Sequence, residues 1–291
     1  MKNKRVKVAS VNKKRVFGYK FSQRTEKFFA YLLLTVFSII VVFPIFWIAM
    51  TSLKERVLIY QIPPVWFFKP TLEAYKSIMV KYPFPKYFFN STLIALVTTG
   101  ISLVLGSLTA FSIARFKTGG TSFKLWILNS HTMPAVAVLI PFFMLAIDLN
   151  IRNTYLVVIL THLSFLLPFT IWILIGFFES IPKEIEEAAL VDGATNLQSL
   201  WYITLRIAAP GLSAAGIVSF LFSWNEFIFA LVLTGNNTRT LPVAISAFLT
   251  QKGVLMGELS AATMVMIVPV MILSIIFRNH LVKGLSLGAI K

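Results

Sequence analysis

The chain contains no cysteine, which excludes disulfides, thiolate zinc clusters and thiol nucleophiles together. It is also poor in charge: 13% of its residues are Asp, Glu, Lys or Arg, against about 25% in a soluble globular chain. It lacks a G-x4-G-K-[ST] segment to cradle nucleotide phosphates, so ATP hydrolysis is not expected in this polypeptide. No Ser/His/Asp set or pair of carboxylates points to catalysis. His131 and His162 each stand alone in an apolar stretch, with no carboxylate or second histidine at metal-ligand spacing. Both read as satisfied core histidines, and no metal site is expected.

What the chain does have is apolar sequence in unbroken blocks. Of its 291 residues 57% are hydrophobic, and the mean hydropathy is +0.80. A membrane helix needs roughly 20 apolar residues. Uncharged stretches run over Phe28–Leu53, Tyr87–Ala114, Leu125–Ile147, Asn153–Phe178, Ile207–Asn225 and Leu259–Phe277, the fifth being expected to continue past Glu226 to about Leu233. The predicted class is therefore an all-α membrane protein with six transmembrane helices. The expected organisation is a basic tail at 1–27, one membrane domain at 28–280 and a short tail at 281–291.

The formal charge of +16 is concentrated: ten of the 27 Lys and Arg lie in the first 27 residues. Basic charge packed beside an apolar block points to anionic lipid headgroups rather than nucleic acid. The tail and first block are too long for a cleavable signal, and no small-residue cleavage site follows, so the block reads as a retained span. Six spans put both termini on one side. With that side cytoplasmic, the inner segments hold 18 Lys and Arg and the outer ones nine, in agreement with the positive-inside rule.

Small residues recur at four-residue spacing at Gly106 and Ala110, and again at Gly211, Ala215 and Ser219. Such faces let helix backbones approach closely in lipid, as general bundle packing requires. Pro44, Pro134, Pro141, Pro168 and Pro269 lie in or near spans and are expected to kink them or free carbonyls.

The connection at 179–206 is too organised for a linker. Ser180 is expected to cap a helix beginning near Ile181, with Pro182 in its first turn. Glu184, Glu186 and Glu187 fall where carboxylates meet the positive end of the helix dipole. Ile185, Ala188, Ala189 and Asp192 share one face, and Gly193 supplies a left-handed stop. Thr195 and Gln198 have capping-box spacing for a second helix, which carries Leu197, Leu200, Trp201 and Thr204 on one side. On these residues alone, the pair could equally lie on the membrane surface as an amphipathic element.

Glu187-Ala188-Ala189, then Gly193, then Ile203 and Leu205 resemble the E-A-A-x3-G-x9-I-x-L-P signature of permease subunits in binding-protein-dependent ATP-binding-cassette importers. Arg206 stands where that signature has proline. Asp192-Gly193-Ala194-Thr195, Ser223-Trp224-Asn225-Glu226-Phe227, Leu241-Pro242-Val243-Ala244 and the tail from Gly284 to Lys291 are similar to the sugar-transporting branch, close to its maltose-type second permease. So are Pro63-Pro64, Trp66 and the run from Pro70 to Tyr75. The resemblance covers about 28–291.

The resemblance implies a coupling loop at 179–206 that docks on a separate ATPase. Glu187, Ala188, Ala189, Asp192, Gly193, Ala194, Ile203 and Leu205 would form it. It further implies a second permease subunit as heterodimer partner, two ATPase copies carrying ATP and magnesium, and an extracytoplasmic binding protein delivering a carbohydrate. No cofactor would sit on this chain. The location would be a bacterial or archaeal cytoplasmic membrane. Within that frame Glu187 either meets basic or amide donors on the ATPase or only stabilises its own helix.

Glu226 is the one acid inside a span, preceded by Asn225. Intramembrane acids face a cavity or a partner, so the two are candidates for the translocation path, with an internal hydrogen bond that fixes helix packing as the alternative. Two other functions compete: an ion-gradient-driven transporter, which would want more buried acids or an inverted repeat, and a non-transporting membrane anchor or assembly factor.

Overall fold

The computed structural model describes residues 13–250 and 253–287, with side chains from 26 to 249 and from 253 to 278. The first twelve residues of the basic tail and the last four of the C-terminal tail lie outside the described residues.

The chain is helical nearly throughout. Helix α1 (Lys13–Ser52) is followed by two short elements, α2 (Arg56–Ile59) and α3 (Glu73–Lys81), then by the long α4 (Phe84–Phe116). Next come α5 (Gly120–His131), α6 (Ala135–Asp148) and α7 (Tyr155–Glu179). The 179–206 connection carries α8 (Lys183–Val191), α9 (Asn196–Ser199), a π-turn over Leu200–Thr204 and α10 (Leu205–Ile207). The rest comprises α11 (Ala209–Asn225), α12 (Ile228–Leu233), α13 (Leu241–Ser246), a two-residue ribbon of β1 (Leu249–Thr250) and β2 (Gly253–Val254), and α14 (Met256–Leu287). The backbone thus stays helical beyond residue 280, where the tail was expected to begin.

Among the described residues, four helices are long and apolar enough to cross a membrane unbroken: Glu26–Ser52 within α1, then α4, α7 and Met256–Arg278 within α14. Two helix pairs pass the same test only when joined across a sharp bend, of 86° between α5 and α6 and of 81° between Asn196–Ile207 and α11. Six spans are reached with each bent pair taken as one. Two predicted spans therefore need correction. The third, Leu125–Ile147, is two helices, because Pro134 at the head of α6 has no N–H to donate and restricts Met133 before it. The fifth does not run on to Leu233 but stops at Asn225 and restarts at Ile228. Helices α1, α6, α7 and α14 continue through Pro44, Pro141, Pro168 and Pro269.

The centre of the bundle is α4 packed along α7, with α11 against both. Small residues allow this. A Cβ at Gly106 would sit 2.9 Å from the Thr170 methyl, and one at Gly211 would sit 2.4–2.6 Å from the Phe177 ring. Thr170 and Ser219 hydroxyls meet at 3.0 Å between α7 and α11. One apolar cluster beside the loop joins Phe111, Leu174, Phe178, Leu200 and Ala215. A second, toward the opposite end, joins Ile78, Phe84, Trp224, Leu241 and Phe248. Asn90 fastens that end: its amide donates to the Asn237 and Arg239 carbonyls at 3.1 and 2.9 Å, and its oxygen accepts from Tyr155 at 2.7 Å.

The close approach at Gly211 predicts that Gly211→Ala lowers stability by about 1–3 kcal/mol, because the Phe177 ring has to move. Gly100→Ala, with nothing within 4 Å of the added carbon, should be neutral or stabilising. Thermal unfolding of the two variants in detergent, compared with the parent chain, checks both directions.

Candidate functional site

The 179–206 loop begins with a correction. Ser180 does not cap the first loop helix; its hydroxyl turns back to the Phe177 carbonyl at 2.7 Å, and the helix starts at Lys183 behind Pro182. Its other end follows the sequence. Gly193 has φ +91°, and its N–H donates to the Leu190 carbonyl while that of Ala194 donates to Ala189, at 3.1 and 3.0 Å. These two bonds are a Schellman stop, closed by the one residue type without a Cβ penalty there. The capping box also forms: Gln198 N–H donates to Thr195 Oγ1 at 3.2 Å, and Thr195 N–H donates to Gln198 Oε1 at 2.8 Å.

The residue that holds this loop to the bundle was not among the predicted ones. Glu186 is buried and accepts two hydrogen bonds from Arg115 at the end of α4, Nε to Oε2 at 2.6 Å and Nη2 to Oε1 at 2.7 Å. Arg115 Nη2 also reaches the Ile181 carbonyl at 3.2 Å, and Thr204 Oγ1 donates to Glu186 Oε1 at 2.7 Å. The ends of α4 and of the π-turn are thereby joined to α8 through one carboxylate, and Arg115 adds the chain at Ile181. A planar guanidinium meeting a carboxylate in two parallel bonds is the strongest geometry this pair can adopt. A second, more exposed ion pair joins Lys124 of α5 to Glu179 at 2.8 Å.

Of the predicted loop residues, Glu187, Ala188, Asp192 and Gly193 are exposed, while Ala189, Ala194, Ile203 and Leu205 are half-buried. Leu205 packs against the apolar cluster below, whereas Leu197 and Trp201 remain exposed and Leu200 and Thr204 are buried. The loop is thus fastened from behind and bare in front.

The second region lies between the two breaks in the bundle. Glu226 ends α11, and its carboxylate turns forward to accept the Phe229 N–H at 2.8 Å and the Ala230 N–H at 3.0 Å. It therefore caps α12 and satisfies donors that the broken helix would leave bare in lipid. The same carboxylate stands 3.3 Å from His162 Nε2, and His162 Nδ1 is 2.7 Å from Ser223 Oγ. An ionised carboxylate only accepts, so Nε2 carries the proton on that side. His162, expected as a satisfied core histidine, finds its partners through the fold: Ser223 and, 64 positions away, Glu226. Within the chain the internal hydrogen-bonded reading of Glu226 is realised.

Beside this triad opens a cleft of about 490 Å³ bounded by the α5–α6 bend, α7 and the α11–α12 break. Asn225, Glu226 and His131 line it, together with Phe165, Phe222 and Phe229. Asn225 is exposed and Glu226 half-buried. Both predicted path residues therefore reach one cavity, which His131 shares. Nothing in the sequence marked the cavity, because 27 phenylalanines spread aromatic surface everywhere. Among the described residues no group of His, Asp and Glu is placed to hold a metal ion.

The chain is thus a bundle of apolar helices with a two-helix loop clamped to one end. Residues 102–287 match the family of binding-protein-dependent transport system inner membrane components, and the chain belongs to that family. It is 35% identical over 274 residues to the sulfoquinovosyl glycerol transport system permease protein of Agrobacterium fabrum, covering 93% of this chain and 95% of that one. With the trehalose/maltose transport system permease protein of Thermococcus litoralis it shares 31% over 259 residues, 87% and 93% of the two chains. Among solved structures, a bacterial ABC transporter involved in the import of the acidic polysaccharide alginate matches at a TM-score of 0.75 and 22% identity, over 89% of this chain and 97% of that one.

Arg115→Ala should cost about 3–5 kcal/mol, since it leaves a buried carboxylate without its partner. Replacing both members, Arg115→Met with Glu186→Leu, should recover most of that loss. Limited proteolysis within 183–206 on the purified protein, alongside thermal unfolding, reports both changes: faster cleavage in the single variant, near-parental cleavage in the double.

Proposed function

We propose that this chain is one of two unlike permease subunits of an ATP-binding-cassette importer for a carbohydrate, and that the 179–206 loop is its docking element for a separate ATPase. The carbohydrate cargo is supported by relatives whose names specify a sulfoquinovosyl glycerol, trehalose or maltose, and diacetylchitobiose. The observation that carries the mechanical part is the loop's asymmetry. Its back is locked to α4 and to the π-turn through Glu186, while its front offers Glu187, Ala188 and Asp192 without cover.

A face of small side chains admits close approach by another protein, and a rigid backing lets a push on that face move the bundle rather than bend the loop. Glu187 offers its carboxylate to donors on the ATPase, Ala188 and Ala189 set the approach distance, and Gly193 fixes the angle between α8 and α9. Ala194, Ile203 and Leu205 carry the second helix into the bundle. ATP and magnesium bind the ATPase pair, and closure of that pair moves the loop and alternates the bundle between its two openings. An extracytoplasmic binding protein delivers the cargo on the opposite face. The 54–86 connection, with six of the 27 Lys and Arg, is the surface for it, together with 235–258. Both termini then lie in the cytoplasm, on the side of the coupling loop and the basic tail.

Gly193→Pro cannot adopt φ +91°, and Ala188→Trp places a bulky ring on the docking face. In the complete complex reconstituted in liposomes, both should insert normally yet uncouple, with uptake falling at least about tenfold relative to ATP hydrolysis. Normal sugar uptake by both variants overturns the docking assignment. Uptake driven by an ion gradient without nucleotide overturns the importer reading itself.

A further inference from the structure

We propose that the cleft between the α5–α6 bend and the α11–α12 break is a subsite for an uncharged sugar ring, and that it discriminates against anionic carbohydrates. The inference rests on the carbohydrate-importer reading above and adds where on this chain the cargo is met and which charge class it has.

Size comes first. About 490 Å³ lies inside the roughly 300–1,000 Å³ of small-molecule sites. The apolar walls are aromatic and ordered by one another. Phe165 stacks on Phe229 with ring centres 5.9 Å apart and planes at 12°, and Phe142 meets Phe229 edge-on at 5.9 Å. Phe222 is held edge-on by Phe169 at 5.5 Å, and Phe169 also lies 5.1 Å from the His131 ring. Phe229 is buried, and the more exposed Phe165 and Phe222 are the rings that can meet the C–H side of a pyranose.

The polar groups are arranged with one bias. Asn225 Nδ2 donates to the Leu221 carbonyl at 2.8 Å, which leaves Oδ1 as acceptor and one amide N–H as donor. His131 Nδ1 lies 3.0 Å from the Phe165 carbonyl, so that nitrogen carries a proton and spends it within the chain. Ser130 and Ser164 spend their hydroxyl protons on the Trp126 and Thr161 carbonyls at 2.8 and 2.6 Å. The cleft's side chains have turned most of their donors inward and present acceptors. Hydroxyl groups of a sugar are the matching donors. A carboxylate or sulfonate would bring acceptors only, to a wall whose side chains have spent most of their donors.

Charge points the same way. None of the residues lining the cleft is Lys or Arg, and the one acid, Glu226, already accepts from two backbone N–H groups and faces His162. The carboxylate is satisfied without a ligand, yet it still repels an anion in a setting where water screens little.

Because the chain has no cysteine, Asn225→Cys places its single thiol at the cleft. In the complete complex with its binding protein, maleimide labelling of that thiol would be followed by mass spectrometry of this chain during turnover. The probes are maltose, trehalose and cellobiose, each against a uronic-acid disaccharide of matched size. The transported neutral sugar should slow labelling at least about threefold, and the uronates should not. Phe222→Ala and His131→Ala should each cut its uptake about tenfold, the loss of one good contact. Import of neutral sugar with unchanged labelling and normal uptake by both variants overturns the subsite. Equal import and protection by a uronate overturns the charge selectivity. A complex that imports no sugar of either kind sinks the carbohydrate reading, and the subsite with it.

Discussion

A backbone N–H that loses its helical partner inside a membrane has no water to turn to, and this constraint shapes the functional half of the bundle. At the end of α11 the helix stops, and the donors that open α12 would be bare. Glu226 removes the difficulty with its own carboxylate, which accepts from Phe229 and Ala230. A negative group at that depth is itself costly, and His162 from α7, steadied by Ser223, stands against it. One side chain therefore starts α12 and ties it to a neighbouring helix. The cleft exists because α12 leaves the line of α11 there, while α5 and α6 part at Pro134 on the facing side.

The loop at 179–206 solves the converse problem, of being firm outside the bundle. Short helices are marginal on their own, and α8 and α9 have nine and four residues. Their stability is borrowed from Arg115 through Glu186, with Thr204 and the Ile181 carbonyl completing the network. Because Glu186, Arg115 and Thr204 are all paired in that small core, it has little freedom to rearrange. The front of the loop keeps its small residues and carboxylates for whatever covers it. Rigidity behind and exposure in front together make a lever, since either without the other would absorb displacement instead of passing it on.

Much of the loop was legible because its signals are local. Gly193 as a stop and Thr195 with Gln198 as a capping box depend on residues within a few positions, and both appear with the expected bonds. Ser180 went the other way because a hydroxyl can serve either neighbouring helix, and the end of α7 offered the Phe177 carbonyl first. The small-residue faces were likewise readable as close approaches, although which helix approached was not. Glu186 was read only as one of three dipole carboxylates, since the Arg115 that it anchors lies 71 positions away and three glutamates in four residues gave no reason to prefer it.

By itself the sequence determined that the chain lives in lipid, that it has stretches for about six spans, and that one connection is a structured two-helix element. Those properties follow from apolar run length and from capping chemistry, both of which act within a turn or two. Only the tertiary structure decided that the third and fifth spans are broken, that Glu226 meets His162, and that Arg115 grips Glu186. The last two are contacts between residues 64 and 71 positions apart, where composition and spacing carry no information about which polar group will satisfy which. The location of the cleft belongs to the same class, for a cavity is defined by what several helices leave unfilled.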